Sequence, residues 1–190
     1  KRLLVIAVPV ILQSLITTGV NLVDNIMLGQ LTETALSGST QANQFITLYT
    51  FVTMGISMGA SVLSSRYWGA RDLVSLKTVI TIALRFSLAL ALCFTAANVF
   101  LPQYIMSLYF QPDAVGEIAA GVTYLRWSTG CFVLMAISLV LTNILRSMSL
   151  SAVPLLASAC AFGINIGANY VLIFGKLGFP AMGVAGAALG

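Results

Sequence analysis

The sequence predicts an all-α integral membrane protein with five complete transmembrane helices and the beginning of a sixth. Hydrophobic residues make up 59% of the 190 residues and charged residues only 7%, and the mean hydropathy is +1.01. A soluble domain of this size has too little interior to bury so much apolar surface, whereas a lipid bilayer accommodates it. Five apolar stretches are each long enough to cross the hydrocarbon core, which takes about 20 residues.

These stretches follow one another along the chain with short polar connections. The predicted helices cover residues 3–28, 35–64, 78–101, 119–145 and 152–174, and a sixth opens at 181 and runs to 190. Turn-forming residues separate them, such as Gly29 after the first helix and Pro102, Pro112 and Asp113 after the third. The chain lacks an initiator methionine and stops inside an apolar run, so we expect a longer parent protein. The first segment is too long and too polar for a signal peptide.

Small residues recur at a spacing of four within several predicted helices. The pairs are Gly55 and Gly59, Gly163 and Gly167, and Gly186 and Gly190. Such a spacing lets two membrane helices approach closely. We therefore expect these three pairs to lie at helix–helix contacts.

The charged residues of the connections predict the orientation. One side of the membrane receives most of the cations, namely Lys1, Arg2, Arg66, Arg71, Lys77 and Arg146. Lys176 lies on the other side, so the positive-inside rule predicts a cytoplasmic N-terminus in the plasma membrane. This asymmetry accounts for the net charge of +4. No basic cluster alternates with stacking aromatics, so we expect no nucleic-acid partner.

The most informative residue is Asp24, the one acidic side chain inside any of the long apolar stretches. It completes a polar stripe of Gln13, Thr17, Asn21 and Asp24, whose spacing of i, i+4, i+8 and i+11 places them on one helical face. A charged side chain at the centre of a bilayer costs about 2.5–3.5 kcal/mol or more. Such a residue persists mainly where it binds a proton, a cation or a substrate, which predicts a transporter.

Asn165 and Asn169 share a face of the fifth predicted helix because they are four residues apart. Together with Asp24 they offer one carboxylate and two carboxamide oxygens, a set that suits a sodium ion. The same carboxylate can instead take up a proton, and the residue types do not decide between the two ions. The alternative interpretation is that both asparagines are hydrogen-bonding links between helices.

The second helix adds polar residues that are candidates for a substrate cavity. Gln41, Gln44 and Tyr49 lie toward its beginning, and we expect them to join Gln13 and Thr17 around a cavity of mixed polarity. Seven methionines favour adaptable surfaces that accept varied ligands.

Several ordered motifs make the chain resemble the first lobe of the multidrug and toxic compound extrusion (MATE) family. The first helix contains the segments Pro9–Gln13 and Asn21–Gly29, and the second ends in Gly55–Ser61 and continues into Arg66–Asp72. Further matches are Leu145–Ser147, Asn165–Gly175, Gly178, Pro180 and Met182–Ala188. The matching pieces cover nearly the whole chain in the family's order and spacing.

The resemblance implies a twelve-helix transporter of two six-helix lobes, of which this chain supplies most of the N-terminal one. Family members export cationic or amphipathic compounds in exchange for protons or sodium ions and use no cofactor. Asp24 then stands at a proposed coupling site, with Asn165 and Asn169 as partners. Some members carry an aspartate where this chain has Asn169, so its site holds one negative charge fewer. Pro9 is a candidate bending point of the first helix.

Three rival functions stay open on the sequence. A lipid-linked oligosaccharide flippase has the related fold but usually has a more cationic cavity. An intramembrane enzyme is disfavoured, because the chain has no histidine and no nucleophile beside a base. The spacing of Cys93, Cys131 and Cys160 does not suggest zinc binding. A purely structural subunit would not explain Asp24.

Overall fold

The computed structural model describes residues 2–30, 32–111, 113–176 and 180–189, with side chains from Val8 onward. Lys1, Pro112, Gly178 and Gly190, which contribute to the predictions above, lie outside the described residues, as does the side chain of Arg2. The described chain is helical and contains no strand. Its helices are α1 (Arg2–Gly29), α2 (Glu33–Gly69), α3 (Leu73–Phe100), α4 (Pro102–Ser107), α5 (Val115–Trp127), α6 (Cys131–Ser147), α7 (Ala152–Phe174) and α8 (Val184–Leu189).

Five described segments are long and apolar enough to cross a membrane. They are Val8–Gly29, Glu33–Gly69, Leu73–Phe100, Val115–Ser147 and Ala152–Phe174. The short helix α8 falls in the apolar run where the sequence predicts a sixth helix to begin. The protein is therefore a multi-pass membrane protein.

Local capping sets several helix ends. Helix α2 begins after Thr32, whose hydroxyl accepts a hydrogen bond from the Ala35 N–H at 3.0 Å. Helix α3 begins at Leu73, ahead of the predicted Thr78, because the Asp72 carboxylate caps it by accepting bonds from Ser75 N at 3.0 Å and Ser75 Oγ at 2.5 Å. These two bonds lower the pKa of Asp72 below its ordinary value. Helix α7 ends at Phe174 and is capped by Gly175, whose φ of 65° is left-handed.

The fourth span differs from the single predicted helix 119–145. A short 3₁₀ turn, Ser128–Gly130, separates α5 from α6. The Ser128 hydroxyl donates to the Tyr124 carbonyl at 2.6 Å, and the Thr129 hydroxyl donates to the Arg126 carbonyl at 2.8 Å. Asn98 of α3 also donates to the Leu125 carbonyl at 2.6 Å. These side chains occupy backbone acceptors at the junction, which favours a local departure from the α-helix.

Aromatic packing between α2, α3 and α6 forms part of the core. Tyr49 and Phe132 meet edge to face with ring centroids 5.0 Å apart, and Phe94 lies 5.2 Å from Tyr49. Close backbone approach fixes α2 against α5, because a Cβ at Gly38 would lie 2.5 Å from the Glu117 carbonyl oxygen. Glycine is therefore required at residue 38.

Only part of the expected small-residue packing is found in the described residues. Gly186 lies against the backbone of Leu172, where an added Cβ would approach within 2.7 Å. In the described chain, no atom lies within 4 Å of the Cβ position at Gly55, Gly59, Gly163 or Gly167. The prediction of close contacts at these two pairs is therefore wrong for this lobe. All four positions face open space. The prediction failed because the spacing of glycines alone does not say which face of a membrane helix is packed.

Helix α1 packs chiefly against α7 and exposes apolar side chains on its other faces. Its polar stripe faces α7 at both ends, where Gln13 meets Ser158 and Asp24 meets Asn169. The α1–α7 pair therefore positions the residues that the sequence singles out.

Candidate functional site

The candidate site is centred on a hydrogen bond between α1 and α7. The Asn169 side chain is fully buried, and its Nδ2 donates to Oδ1 of the half-buried Asp24 at 2.6 Å. The same Nδ2 lies 3.4 Å from Oδ1 of Asn165, one turn earlier on α7. Hydrogen bonds to a charged acceptor are stronger than neutral ones, so an ionised Asp24 ties α1 to α7 at this depth.

The oxygen atoms of this cluster suit a small hard cation. In the described part of the chain, Oδ1 of Asn169 is buried and has no hydrogen-bond donor. The Nδ2 of the same amide faces Oδ1 of Asn165 and the Asp24 carboxylate. A buried acceptor without a partner is costly, and a sodium ion or a water molecule would satisfy it. A proton on Asp24 would change the same cluster by removing its charge.

A cavity between α1 and α7 leads to this cluster. It has a volume of about 280 Å³, and its polar lining consists of Thr17, Asn21, Ser158 and Asn165. Phe162 and other apolar residues complete the wall. Thr17 and Asn21 thus lie where the predicted polar stripe places them, on the face of α1 toward α7.

A second cleft opens on the other side of Asp24, between α1, α2 and α5. Its volume is about 300 Å³, and Asp24, Asn21, Asn43, Thr47 and Tyr124 line it. The Tyr124 hydroxyl lies 3.4 Å from Oδ1 of Asn43, to which it donates. Asn21 borders both the cavity and the cleft. The Asp24 side chain therefore borders the cleft, and Asn21 connects the cleft with the cavity.

The predicted substrate residues of α2 lie partly on this surface. Gln44 lines the second cleft, and it also joins Gln41 in a neighbouring open groove of about 470 Å³ that includes Phe51 and Tyr109. This surface mixes amide, hydroxyl and aromatic groups.

Two predicted cavity residues lie elsewhere. Tyr49 is fully buried in the aromatic core, and its hydroxyl donates to the Phe132 carbonyl at 2.7 Å. Gln13 is 8% exposed, and its amide is occupied by Arg146 and Ser158. The structure corrects the prediction for both residues, because their polar atoms already have protein partners.

Sequence reasoning missed Ser158, Asn43, Tyr124 and the role of Arg146 at this site. Arg146 ends α6, where it resembles an ordinary loop cation, yet its Nη2 donates to Oε1 of Gln13 at 2.6 Å. The two residues are 133 positions apart. Asn43 lies between Gln41 and Gln44 in a polar segment of α2, and this segment was the one signal available.

The comparison with protein families identifies the fold and the family. The MatE family model matches residues 9–171. The chain belongs to the MatE family. This membership confirms the resemblance that the motifs indicate. The matched range also includes every residue that lines the cavity between α1 and α7 in this MatE chain.

Two bacterial relatives illustrate the coverage. Probable multidrug resistance protein NorM of Thermotoga maritima is 26% identical over 190 residues, which are 100% of this MatE chain and 40% of that protein. Probable multidrug resistance protein NorM of Listeria monocytogenes serovar 1/2a is 27% identical over 189 residues, 98% of this chain and 40% of that protein. The chain thus spans about 40% of the length of these curated relatives.

Solved structures confirm the fold class. A crystal structure of MATE in the straight conformation has a TM-score of 0.86 at 23% identity. The matched region is 99% of this chain and 40% of the chain in that structure. A MOP superfamily transporter from Pyrococcus furiosus Vc1 gives a TM-score of 0.84 at 23% identity, with coverage of 99% and 40%. The MatE chain therefore has the fold of a helical lobe of a MATE-type transporter, as predicted.

Proposed function

We propose that this chain is the N-terminal lobe of a secondary active multidrug efflux antiporter, which exports cationic or amphipathic compounds in exchange for protons or sodium ions. The relatives described as probable multidrug resistance proteins support this proposal. Since the chain spans about 40% of their length, transport requires a C-terminal lobe. The transporter lies in the plasma membrane with its N-terminus in the cytoplasm, on the side of Arg66 and Arg71.

The hydrogen bond between Asp24 and Asn169 is the observation that carries the proposal. It joins two spanning helices at the only acidic residue of α1, beside a cavity and a cleft. Ionised Asp24 holds α7 by a charge-assisted bond, and neutralisation by a proton or a sodium ion weakens that bond. The ion thereby favours a different arrangement of α1, which is the differential affinity that coupling needs.

The membrane potential supplies energy on the same scale. One charge that moves inward across about 100 mV gains about 2.3 kcal/mol. A shift of this size changes an equilibrium constant by a factor of roughly 50. One ion per cycle at Asp24 is therefore enough to bias the position of α1.

The test measures export of a fluorescent organic cation from vesicles that contain the full-length protein, under separately imposed proton and sodium gradients. We expect Asp24→Asn to abolish gradient-driven export, and the gradient that drives the wild type names the ion. Asp113→Asn, which removes an exposed carboxylate from a connection, is the matched control and should export normally.

Full coupled export by a correctly folded Asp24→Asn variant would refute the coupling role. The same vesicles should be tested with a labelled lipid-linked oligosaccharide. Flipping of that lipid without export of the cation would support the flippase alternative instead.

A further inference from the structure

The connection between α2 and α3 contains the segment Arg66–Asp72, which the proposed ion site does not use. Helix α2 ends at Gly69 and α3 begins at Leu73, so the connection takes only three residues. The Arg71 N–H donates to the Trp68 carbonyl at 3.1 Å, and the Arg71 backbone has a left-handed φ of 56°. Residues other than glycine adopt this conformation only rarely. The tight turn therefore fixes the point from which the Arg71 side chain extends.

This turn lies at the end of two membrane spans. The predicted apolar stretches of α2 and α3 are 35–64 and 78–101, so the segment 65–77 between them lies outside both stretches. Trp68, Leu73 and Val74 in this segment are nevertheless exposed. Tryptophan is enriched at the interface between membrane and water. Exposed apolar side chains at this depth favour contact with lipid.

The same segment carries an excess of positive charge. Arg66, Arg71 and Lys77 are exposed cations, and Asp72 is the one acid between residues 65 and 77, which gives this segment a net charge of +2. Both carboxylate oxygens of Asp72 accept hydrogen bonds from Ser75, as the cap of α3 requires. The carboxylate is thus occupied within the helix cap, and the three cations can attract an anion from outside the protein.

A cavity lies beside Arg71 at the turn. It has a volume of about 430 Å³, and Trp68, Gly69, Arg71 and Leu73 line it. Arginine binds phosphate through two parallel hydrogen bonds. Trp68 and Leu73 add apolar surface next to the guanidinium. This combination fits an amphipathic molecule that joins a phosphate to hydrocarbon chains.

We propose that Arg66, Trp68, Arg71, Leu73 and Lys77, here called the basic corner, bind the headgroup of an anionic phospholipid. Arg71 contacts the phosphate, while Arg66 and Lys77 attract the negatively charged lipid to the corner. Trp68 and Leu73 pack against its glycerol and the first part of its chains. In the proposed orientation the basic corner lies on the cytoplasmic side, where anionic lipids attract basic segments next to membrane helices. The inference goes beyond the proposed function, because it concerns neither the coupling ion nor the exported compound.

The test measures which lipid lies next to Trp68. The full-length protein, with every other tryptophan replaced by phenylalanine, is reconstituted in mixtures of phosphatidylcholine and phosphatidylglycerol. The acyl chains of one lipid are brominated in one series and those of the other lipid in a second series. Bromine quenches tryptophan fluorescence on contact, so the two series give the binding constant of phosphatidylglycerol relative to phosphatidylcholine at this position.

The wild type should prefer phosphatidylglycerol by at least about fivefold at Trp68. Arg71→Gln should lower this preference by about fivefold, the contribution of one cation near an anionic surface. Arg126→Gln is the matched control, because Arg126 is also an exposed arginine but lies near the other end of α3, in a pocket with Phe100 and Tyr104. It should leave the preference at Trp68 unchanged.

Three results would overturn the proposal. The first is equal binding of both lipids at Trp68 in the wild type. The second is an unchanged preference in Arg71→Gln, or an equal loss in Arg126→Gln. The third is the absence of quenching by either lipid, which would show that the rest of the protein covers the basic corner.

A second variant keeps the proposal testable if Arg71→Gln does not fold. Asp72→Asn retains a side chain that caps helices well and removes the one negative charge of the segment 65–77. The preference for phosphatidylglycerol at Trp68 should therefore rise by about fivefold, and an unchanged or lower preference would contradict the proposal. Because quenching needs no ion gradient, a negative result here is distinct from a failure of Asp24→Asn to abolish export.

Discussion

Replacement of Asn169 by leucine tests the proposed ion site most directly. The substitution keeps the approximate volume of the buried side chain and removes the donor that lies 2.6 Å from Asp24. A hydrogen bond to a charged group contributes about 1.5–3 kcal/mol. At about 1.4 kcal/mol for each factor of ten, the affinity for the coupling ion should change by about 10- to 100-fold.

The direction of the change depends on the ion. A sodium site loses an oxygen ligand with Asn169→Leu, so the sodium concentration for half-maximal export should rise. A proton site loses a donor that stabilises the ionised carboxylate, so the proton concentration for half-maximal export should fall. The assay is export of a fluorescent organic cation from vesicles with the full-length protein, measured at a series of ion concentrations.

Asn98→Leu provides the control for the loss of a buried amide. Asn98 is also fully buried, and its Nδ2 also donates over 2.6 Å, but to the Leu125 carbonyl in the core. We expect this variant to lose thermal stability without a shift in the half-maximal ion concentration. If Asn169→Leu shows no shift either, or if Asn98→Leu shows the same shift, the contact with Asp24 has no special part in ion binding.

Three further predictions concern stability. Gly38→Ala should destabilise the protein by about 1–3 kcal/mol, because the added Cβ would lie 2.5 Å from a backbone oxygen of α5. Gly55→Ala is the control: its Cβ has open space, so the melting temperature should stay unchanged. Tyr49→Phe should lower the melting temperature, because it removes the buried hydrogen bond to the Phe132 carbonyl, and a hydrogen bond of this kind contributes about 0.5–1.5 kcal/mol. Asp72→Ala should lower the free energy of unfolding at neutral pH. The carboxyl of Asp72 has a lowered pKa in the folded state, so its contribution to stability is lost as the pH falls through that value. The difference in stability between the variant and the wild type should therefore shrink below about pH 4.

The sequence predicted the cluster of Asp24 with Asn165 and Asn169 better than the placement of the polar residues of α2, and the reason is physical. A carboxylate in an apolar helix is costly wherever it lies, and two asparagines four residues apart share a face in any α-helix. These facts hold before the tertiary structure is known. The contact between Asp24 and Asn169 follows from them as soon as α1 and α7 are neighbours.

Tyr49 shows what periodicity does not provide. Helix α2 carries polar and apolar residues on all sides, so its sequence does not distinguish the face toward the core from the face toward a cleft. Tyr49 turned out to pack against Phe94 and Phe132, while Asn43, two turns earlier, borders the cleft. The predicted helix contacts at the glycine pairs that begin with Gly55 and Gly163 were wrong for the same reason, because spacing does not identify the packed face.

The contact between Arg146 and Gln13 depends entirely on tertiary structure. Arg146 lies in the last turn of α6, where a cation is favoured by the carbonyls of the helix end. Nothing in the adjacent sequence indicates that it reaches Gln13, because the helices that carry them are separated by most of the chain. Its charge and hydrogen bonds therefore become informative only in the folded structure.

The position of Pro9 connects the contacts of Gln13 with the proposed ion coupling. Pro9 lacks the backbone N–H of the helix and is the candidate bending point of α1. Both Gln13 and Asp24 follow it, so a bend at Pro9 that moves the rest of α1 away from α7 must break both contacts together. Neutralisation of Asp24 weakens only one of them, by about 1–1.5 kcal/mol, which is the difference between a charged and a neutral hydrogen bond.

The contacts of Gln13 with Arg146 and Ser158 are one bond from a charged donor and one neutral bond, which together contribute about 2–4.5 kcal/mol. Neutralisation of Asp24 alone therefore does not supply enough energy to break both contacts. A charge that crosses about 100 mV adds about 2.3 kcal/mol, which brings the driving energy close to the energy of the hydrogen bonds that must break. A bend at Pro9 should accordingly depend on the membrane potential, and Gln13→Leu should reduce that dependence because it removes the larger opposing contribution. If export by Gln13→Leu shows the same dependence on potential as export by the wild type, α1 moves without breaking the contacts of Gln13, and the bend does not occur at Pro9.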